Sequence, residues 1–248
     1  MTALSFQLYS ARNFPPIEAI LSKLKALGYA QVEGYGGLYG DAANLAVALK
    51  ANGLTMPTGH FGLDMLKDVS TSLKTAETLG IKTVFCPAIG QDQRKQPEAG
   101  WVQLGETLAE LAETYKRAGI GFGWHNHHFE FWPTETGKLP MNILLDTAKD
   151  IEWEADVAWI VRGEQDPQGW FDKYGQRITA VHVKDIAPKG VADEDGWADP
   201  GQGVMGWDKL IGTIRTKTRA QYFVAEHDNP SDVNRFATRT MDAWKSWN

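Results

Sequence analysis

AQVEGYGGLYGDAANLAVALKANGLTMPTGHFG, residues 30–62, is the stretch that decides the fold of this chain. Two runs that are typical of strands, 30–36 and 54–62, flank a segment, 42–53, that reads as a helix and stops at Gly53. Glycine is a common helix stop because it adopts the left-handed backbone conformation without steric cost. A helix between two strands returns the chain to the same edge of a sheet, so the stretch predicts two parallel strands.

The same strand–helix unit recurs along the whole chain. The predicted strands lie at 4–10, 30–36, 54–62, 82–90, 120–127, 151–159, 177–185 and 221–228. Eight parallel strands in about 250 residues are typical of a (β/α)₈ TIM barrel, an α/β fold, and we predict a single domain over residues 1–248. An open, doubly wound sheet is the weaker alternative because no G-x-G-x-x-G motif follows the first strand.

Composition and charge exclude several classes of partner. The formal net charge of −6 leaves no basic patch for nucleic-acid phosphates or for an anionic membrane. A lone cysteine, Cys86, excludes a disulfide within the chain. The N-terminus lacks the features of a signal peptide, and no apolar run reaches membrane-spanning length. We therefore predict a cytoplasmic protein with neither a nucleic-acid nor a membrane partner.

Histidines and carboxylates accumulate where the predicted strands end. The six histidines of the chain all lie there: His60, His125, His127, His128, His182 and His227. Carboxylates accompany them, namely Glu130, Asp156, Asp185 and Glu226. Because the loops after the strands of such a barrel share one rim, these side chains should converge. Imidazoles and carboxylates together are ligands for a divalent cation, so the sequence predicts a metal centre at the rim.

The segments that carry these residues resemble a known family. Asp156 lies in EADVAW, residues 182–185 read HVKD, and Glu226 lies in AEHD, each at the end of one of the last three predicted strands. In this order the segments are similar to those of the sugar phosphate isomerase/epimerase superfamily, the TIM barrels related to xylose isomerase. The resemblance covers essentially the whole chain, and WHNHHFE (124–130) is similar to a subgroup with an H-N-H-x-F-E segment.

The resemblance implies a divalent ion, usually manganese, held by Glu, Asp, His and Glu. The last three positions correspond to Asp156, His182 and Glu226. For the first position we predict Glu130, reaching back from the loop, and His125 is the alternative. Mixed oxygen and nitrogen ligands suit Mn²⁺, Co²⁺ or Mg²⁺ better than structural zinc, which prefers thiolates.

The chemistry implied by such a site is enolisation of a sugar. A metal ion that holds two neighbouring oxygens acidifies the carbon beside a carbonyl and stabilises the enediolate. Glu226 and Glu130 are predicted to move the proton, and His125 is a further catalytic candidate. Isomerisation or epimerisation of a keto-sugar is our first hypothesis. The alternative is a lyase, either an inosose-type dehydratase or a 3-keto-glycoside eliminase, which begins with the same step.

The rim predicts a neutral substrate. The loop ADEDGWAD (192–199) carries four carboxylates where phosphate-binding barrels usually hold their phosphate, so we expect a neutral sugar or cyclitol. The predicted substrate contacts are His127, Lys184, His60, Glu33 and Trp124. The resemblance also implies that the chain could form a homo-oligomer or join a small β-rich partner subunit, as relatives do.

Overall fold

A closed barrel of eight parallel strands forms the centre of the computed structural model, which describes residues 2–247. The strands are β1 Leu4–Gln7, β2 Gln31–Tyr35, β3 Thr55–His60, β4 Thr83–Cys86, β5 Gly121–His125, β6 Glu152–Asp156, β7 Ile178–Val183, β8 Asp185–Ile186, β9 Trp197–Ala198 and β10 Tyr222–Ala225. All except β8 and β9 belong to the barrel, and β1 pairs in parallel with β10 to close it. The predicted (β/α)₈ barrel is therefore confirmed.

Helices connect the barrel strands. They are α1 Ile17–Leu27, α2 Ala42–Ala51, α3 Leu63–Lys67, α4 Val69–Leu79, α5 Glu98–Arg117, α6 Pro140–Thr147, α7 Val157–Arg162, α8 Pro167–Tyr174, α9 Trp207–Lys217 and α10 Val233–Ser246. Within residues 2–247, none of them combines the length and the apolar character that crossing a bilayer requires.

Glycines end the first helices as the sequence predicted. Gly53, the stop named above, has a positive φ angle, and so do the glycines that follow α1, α4 and α5, namely Gly28, Gly80 and Gly119. The connection between β3 and β4 contains two consecutive helices, α3 and α4. Asp68 leaves the helical conformation with a ψ of 72°, and its Oδ1 accepts the N–H of Thr71 at 3.2 Å. This capping bond begins α4 and separates it from α3.

The alternation of side chains along a strand explains why the barrel has a polar interior. In β6, Trp153 faces outward and packs edge-on against Trp170 and Tyr174 of α8. Glu154 and Asp156 point to the other face and are fully buried inside the ring. Apolar side chains therefore fill the layer between strands and helices, while charged groups accumulate along the barrel axis.

The segment after β7 departs from the sequence prediction. The predicted strand 177–185 leaves the barrel at Val183, and β8 then pairs antiparallel with β9 outside the ring. Asp185 organises this excursion because its carboxylate accepts backbone N–H groups from Ile186, Gly201, Gly203 and Met205. This loop therefore folds around one buried acid.

Candidate metal centre at the mouth of the barrel

Four side chains from four neighbouring strands meet at the carboxyl end of the barrel. His125 ends β5, Asp156 ends β6, His182 lies near the end of β7, and Glu226 follows β10. Each offers one ligand atom, and these atoms all lie within 4.8 Å of one another. All four residues are buried. We call this group the rim cluster; it contains three of the four predicted ligands together with the alternative, His125.

Asp156 carries the clearest sign that the rim cluster fits a cation. Its Oδ1 accepts the N–H of Trp159 at 2.9 Å and caps α7. Its Oδ2 is buried and has no hydrogen-bond partner among the described residues, although Lys184 Nζ lies 3.4 Å away. Burial raises the pKa of Asp156 to about 6, against the charges of Lys184 and His182, which lower it. A buried carboxylate oxygen without a hydrogen bond suits a positively charged ligand.

Glu226 is held in its charged form by two neighbours. Its Oε2 lies 2.8 Å from His182 Nδ1 and 3.1 Å from Lys184 Nζ. Burial alone would raise the pKa of Glu226, but the charges of Lys184 and His182 outweigh it and hold the pKa well below its usual range. Glu226 is therefore a carboxylate at neutral pH.

Lys184 is placed differently from the sequence prediction. Its ammonium group is fully buried and contacts Asp156, Glu226 and, at 2.8 Å, Asp228 Oδ2. The ammonium therefore neutralises carboxylates beneath the surface of the mouth, whereas we had predicted that it would contact a substrate.

One pleat below the rim cluster lie two further carboxylates, Glu33 and Glu154, which we call the floor carboxylates. Glu154 Oε2 lies 2.5 Å from His60 Nε2, and Glu33 Oε1 lies 2.9 Å from His182 Nε2. Burial and the neighbouring Glu154 charge raise the pKa of Glu33. The pKa of Glu154 is held well below its usual range because the charges of His182 and His60 overcome the effect of burial. Glu33 thus lies too deep to touch a substrate, in contrast to its predicted role.

Glu130 and Trp124, both predicted to act in the site, are brought together elsewhere. Glu130 Oε1 accepts the indole N–H of Trp124 at 3.1 Å, and Oε2 accepts the N–H of His127 at 2.9 Å. Both side chains are fully buried, and Glu130 is absent from the groups of potential ligands in residues 2–247. The prediction of Glu130 as first ligand and proton carrier is corrected: its carboxylate fixes the turn after β5. His125 takes the first position in the rim cluster.

The placement of Glu130 gives a testable pH dependence. Burial raises the pKa of its carboxyl to about 8, although the hydrogen bonds from its own and His127 backbone N–H groups and from Trp124 lower it. Between pH 5 and 8 the unfolded chain releases this proton and the folded chain keeps it, so stability falls as pH rises. A pKa difference of one unit is about 1.4 kcal/mol. The free energy of unfolding of Glu130→Gln, measured relative to that of the wild type, should therefore be at least about 1 kcal/mol higher at pH 8 than at pH 5.

Urea unfolding of both proteins at the two pH values measures this gain. Parallel pH profiles of the two proteins would contradict the raised pKa. The same Glu130→Gln protein should bind a divalent metal as the wild type does, because neither oxygen of Glu130 faces the rim cluster. Loss of metal binding in this variant would restore the original prediction.

A cavity of about 430 Å³ opens above the rim cluster. Four of the predicted site residues line this cavity: His60, His125, His127 and Glu226. Trp159 also lines the cavity, together with side chains that the sequence did not indicate: Tyr9, Tyr35, Arg94 and Asp228. Its volume lies in the range of small-molecule sites, and its aromatic faces suit the C–H surfaces of a sugar ring.

The histidines after β5 are neutral bases or hydrogen-bond partners. Burial lowers the pKa of His125 to about 3, with a contribution from the His182 charge. Burial also holds the pKa of His127 well below its usual range, and it lowers the pKa of His128. At neutral pH none of the three is therefore an imidazolium, which is the charged form that a histidine needs to act as general acid in an elimination.

Glu154 is the buried carboxylate that the sequence analysis missed. The available signal was strand alternation, because Glu154 and Asp156 stand two residues apart and must share the inner face of β6. The same alternation predicts that His125 and His127 share one face. Their ring centroids lie 5.2 Å apart, and both side chains line the cavity.

The net negative charge of the loop at residues 192–199 is smaller in the structure than its four carboxylates indicate, because arginines pair with it. Arg235 of α10 donates to Glu194 and to Asp199, and Arg239 donates to Asp199. Two of the four carboxylates are thereby neutralised by a helix that follows in the chain. The charge argument for a neutral substrate is correspondingly weaker.

Comparison with known proteins identifies the family to which the chain is similar. The family described as xylose isomerase-like TIM barrel matches residues 21–246. An inosose dehydratase from Bacillus cereus (strain AH820) is 25% identical over 153 residues, which cover 56% of this chain and 51% of the dehydratase. The chain thus matches about half the length of that curated relative.

Solved structures share the architecture. A sugar phosphate isomerase/epimerase from Parabacteroides distasonis ATCC 8503 has a TM-score of 0.81 at 18% identity, covering 99% of this chain and 94% of its own. An IolI protein with a bound zinc atom has a TM-score of 0.74 at 15% identity, covering 100% and 96%. At such identities the likeness shows the fold alone.

Proposed function

The chain belongs to the xylose isomerase-like TIM barrel family, and from this premise we propose that it is a divalent-metal-dependent enzyme that enolises a keto-sugar. The observation that carries the proposal is the rim cluster: four buried donors from four strands converge below a cavity of about 430 Å³. Isomerisation or epimerisation is the first outcome that we propose for the enolised sugar.

The donors of the rim cluster define the ion that we propose. His125, Asp156, His182 and Glu226 supply two imidazoles and two carboxylates, whereas the resemblance implied three carboxylates and one imidazole. Imidazole favours transition ions over Mg²⁺, which prefers oxygen ligands. We therefore propose Mn²⁺, Co²⁺ or Zn²⁺. Support comes from the buried Oδ2 of Asp156 and from the zinc found in the structurally similar IolI protein.

The residues around the cavity can then move a proton. A divalent ion supplies Lewis-acid stabilisation of negative charge that develops beside a carbonyl. Glu226, charged and lining the cavity, is the group that we propose as the base at the carbon beside the carbonyl. His127, neutral and half-buried in the same wall, can form a hydrogen bond with a hydroxyl group on the other side. Tyr9, Tyr35 and Trp159 orient the ring and exclude water.

A lyase is the second candidate, and one observation favours it. The curated relative is an inosose dehydratase, an enzyme named for the removal of water from a keto-cyclitol. Elimination and isomerisation begin with the same loss of a proton beside a carbonyl, so the geometry of the rim cluster serves both.

Incubation of the protein with Mn²⁺ and a 3-keto-glucoside in deuterated water tests the proposal. We expect incorporation of solvent deuterium beside the carbonyl, and treatment with a chelator should abolish it. Deuterium in an otherwise intact sugar supports isomerisation or epimerisation, whereas release of the aglycone or of water supports the lyase. A metal-loaded protein that exchanges no proton with any keto-sugar or inosose would contradict the proposed function.

A further inference from the structure

The floor carboxylates have no part in the chemistry proposed above, yet they contact its ligands. One oxygen atom, Glu154 Oε2, lies 2.5 Å from His60 Nε2, 3.2 Å from His125 Nδ1 and 3.3 Å from His182 Nε2. Three imidazoles therefore surround a single carboxylate oxygen, and that of His60 forms a hydrogen bond with it. Two of these imidazoles, those of His125 and His182, belong to the rim cluster.

Glu33 approaches the same rings from the other side of the barrel. Its Oε1 lies 2.9 Å from His182 Nε2 and accepts a hydrogen bond from Gln7 Nε2 at 2.8 Å. The Gln7 amide is oriented because its own oxygen accepts the N–H of Tyr9 at 3.0 Å. Glu33 Oε1 is thus held in place from β1.

These contacts determine which ring nitrogens can face a cation. A carboxylate oxygen accepts hydrogen bonds, so a ring nitrogen that faces a carboxylate outside the rim cluster is the donor, and an ion must bind at the other ring nitrogen in place of any proton there. In His182 the other nitrogen is Nδ1, which lies 2.8 Å from Glu226 Oε2 and 4.0 Å from Asp156 Oδ2, so an ion in the rim cluster would replace the proton between Nδ1 and Glu226. In His125 the nitrogen nearest to Glu154 is Nδ1, at 3.2 Å from Oε2, although it forms no hydrogen bond among the described residues, and Nε2 is the nitrogen left for an ion.

We propose that Glu154 and Glu33 are positioning residues that hold His125 and His182 in the tautomer and orientation required by the metal centre. Glu33 holds His182 by a hydrogen bond, and the Glu154 carboxylate faces the rings of both His125 and His182 at 3.2 and 3.3 Å. Histidine ligands usually donate their second N–H to such a carboxylate, and its loss typically weakens metal affinity about 10–100-fold. The inference rests on the proposed function, since it assumes that the rim cluster binds an ion.

A second ion on the floor is the competing reading. His60, His125, Glu154 and His182 also offer ligand atoms within 4.8 Å of one another. However, the His182 nitrogen on this side, Nε2, lies 2.9 Å from Glu33 Oε1, a carboxylate outside both groups, whereas the carboxylates nearest Nδ1, those of Glu226 and Asp156, both belong to the rim cluster. The geometry therefore favours one ion per chain, with the floor carboxylates behind its histidine ligands.

Glu154→Gln and Glu33→Gln test the inference through metal binding. Titration of the metal-free proteins with Co²⁺, followed by its visible absorption, should show affinities about 10–100-fold weaker than that of the wild type. The absorption spectrum should also change, because the ligand rings are no longer held in one orientation. Glu152→Gln is the matched control: Glu152 begins the same strand, and its carboxylate accepts a hydrogen bond from Thr179 at 2.6 Å. This control should bind Co²⁺ as the wild type does.

The possible outcomes separate this inference from the proposed function. Wild-type affinity and spectrum in both Glu154→Gln and Glu33→Gln would overturn the inference and leave the metal centre intact. Two ions per wild-type chain, reduced to one in Glu154→Gln, would also overturn it, because Glu154 would then be a ligand. A wild-type chain that binds no ion would overturn the proposed function itself. If Glu154→Gln does not fold, Glu33→Gln alone decides.

Discussion

Replacing Asp156 with asparagine is expected to weaken divalent-metal binding at least about 100-fold. This loss exceeds that expected when a residue that only hydrogen-bonds to a metal ligand is replaced. The substitution removes the charge of the one rim-cluster oxygen that is buried without a hydrogen bond, Oδ2. The asparagine oxygen can still accept the N–H of Trp159, which Asp156 Oδ1 accepts at 2.9 Å, so the cap of α7 should persist. Metal affinity should therefore fall while the fold is retained. Calorimetric titration with Mn²⁺ measures the affinity, and circular dichroism checks the fold.

Asp166→Asn provides the matched control for this prediction. Asp166 also caps a helix, α8, by accepting the N–H of Gln168 at 3.0 Å, but it is exposed and belongs to none of the groups of potential ligands in residues 2–247. We expect unchanged metal affinity in the control and loss of solvent deuterium exchange only in Asp156→Asn. If Asp156→Asn bound Mn²⁺ as tightly as the wild type, the rim cluster could not be the metal centre.

Replacing Lys184 with methionine is expected to destabilise the metal-free protein by about 3–5 kcal/mol, the usual cost of leaving buried charges without their partner. The fully buried ammonium faces Asp156 at 3.4 Å, Glu226 at 3.1 Å and Asp228 at 2.8 Å. It also lies 4.5 Å from the ring centre of Trp197, a contact that adds cation–π attraction. Methionine fills similar space without the charge. Urea unfolding of both metal-free proteins measures the difference.

The same variant should regain stability when Mn²⁺ is added. Lys184 and a bound cation neutralise the same two carboxylates, those of Asp156 and Glu226. In the variant, the ion therefore replaces part of the positive charge that the ammonium group supplies in the wild type. Ligand binding to the folded state stabilises it in proportion to affinity and concentration. The gain from Mn²⁺ should thus be larger in Lys184→Met than in the wild type. An equal loss with and without Mn²⁺ would contradict this shared role.

Lys217→Met serves as the control for Lys184→Met. Lys217 forms an ion pair with Asp172 between half-exposed and exposed side chains, far along α9. Exposed pairs contribute about 1 kcal/mol at most. We therefore expect a small change in stability that does not respond to Mn²⁺. A loss as large as that in Lys184→Met would indicate that removal of a lysine stem, and not of a buried charge, causes the effect.

Local patterns explain why so much of the architecture could be predicted. Helix stops at glycine, strand alternation and the spacing of the units are short-range properties, and the barrel follows once eight parallel strands are counted. The convergence of Asp156, His182 and Glu226 followed from the same reasoning, because strand ends share one rim. Their meeting within 4.8 Å, together with His125, agrees with that expectation.

Glu130 shows where such reasoning ends. The sequence places it five positions after His125, at a distance along the chain from which it could reach the rim. In the structure a short 3₁₀ helix, Phe129–Phe131, turns the chain, and the carboxylate meets the Trp124 indole behind the strand. The direction of a side chain after the last strand residue depends on that turn, and strand alternation no longer applies there.

The amino-acid sequence by itself determined the barrel, the rim at which its polar residues gather, and the donors Asp156, His182 and Glu226, because local periodicity dictates these features. Only the tertiary structure decided that His125 completes the rim cluster, that Lys184 is buried, and that Arg235 neutralises Glu194 and Asp199. The physical reason is closure of the ring. Closure brings side chains from distant strands and helices within a few ångströms, and burial then makes each charge depend on its partner.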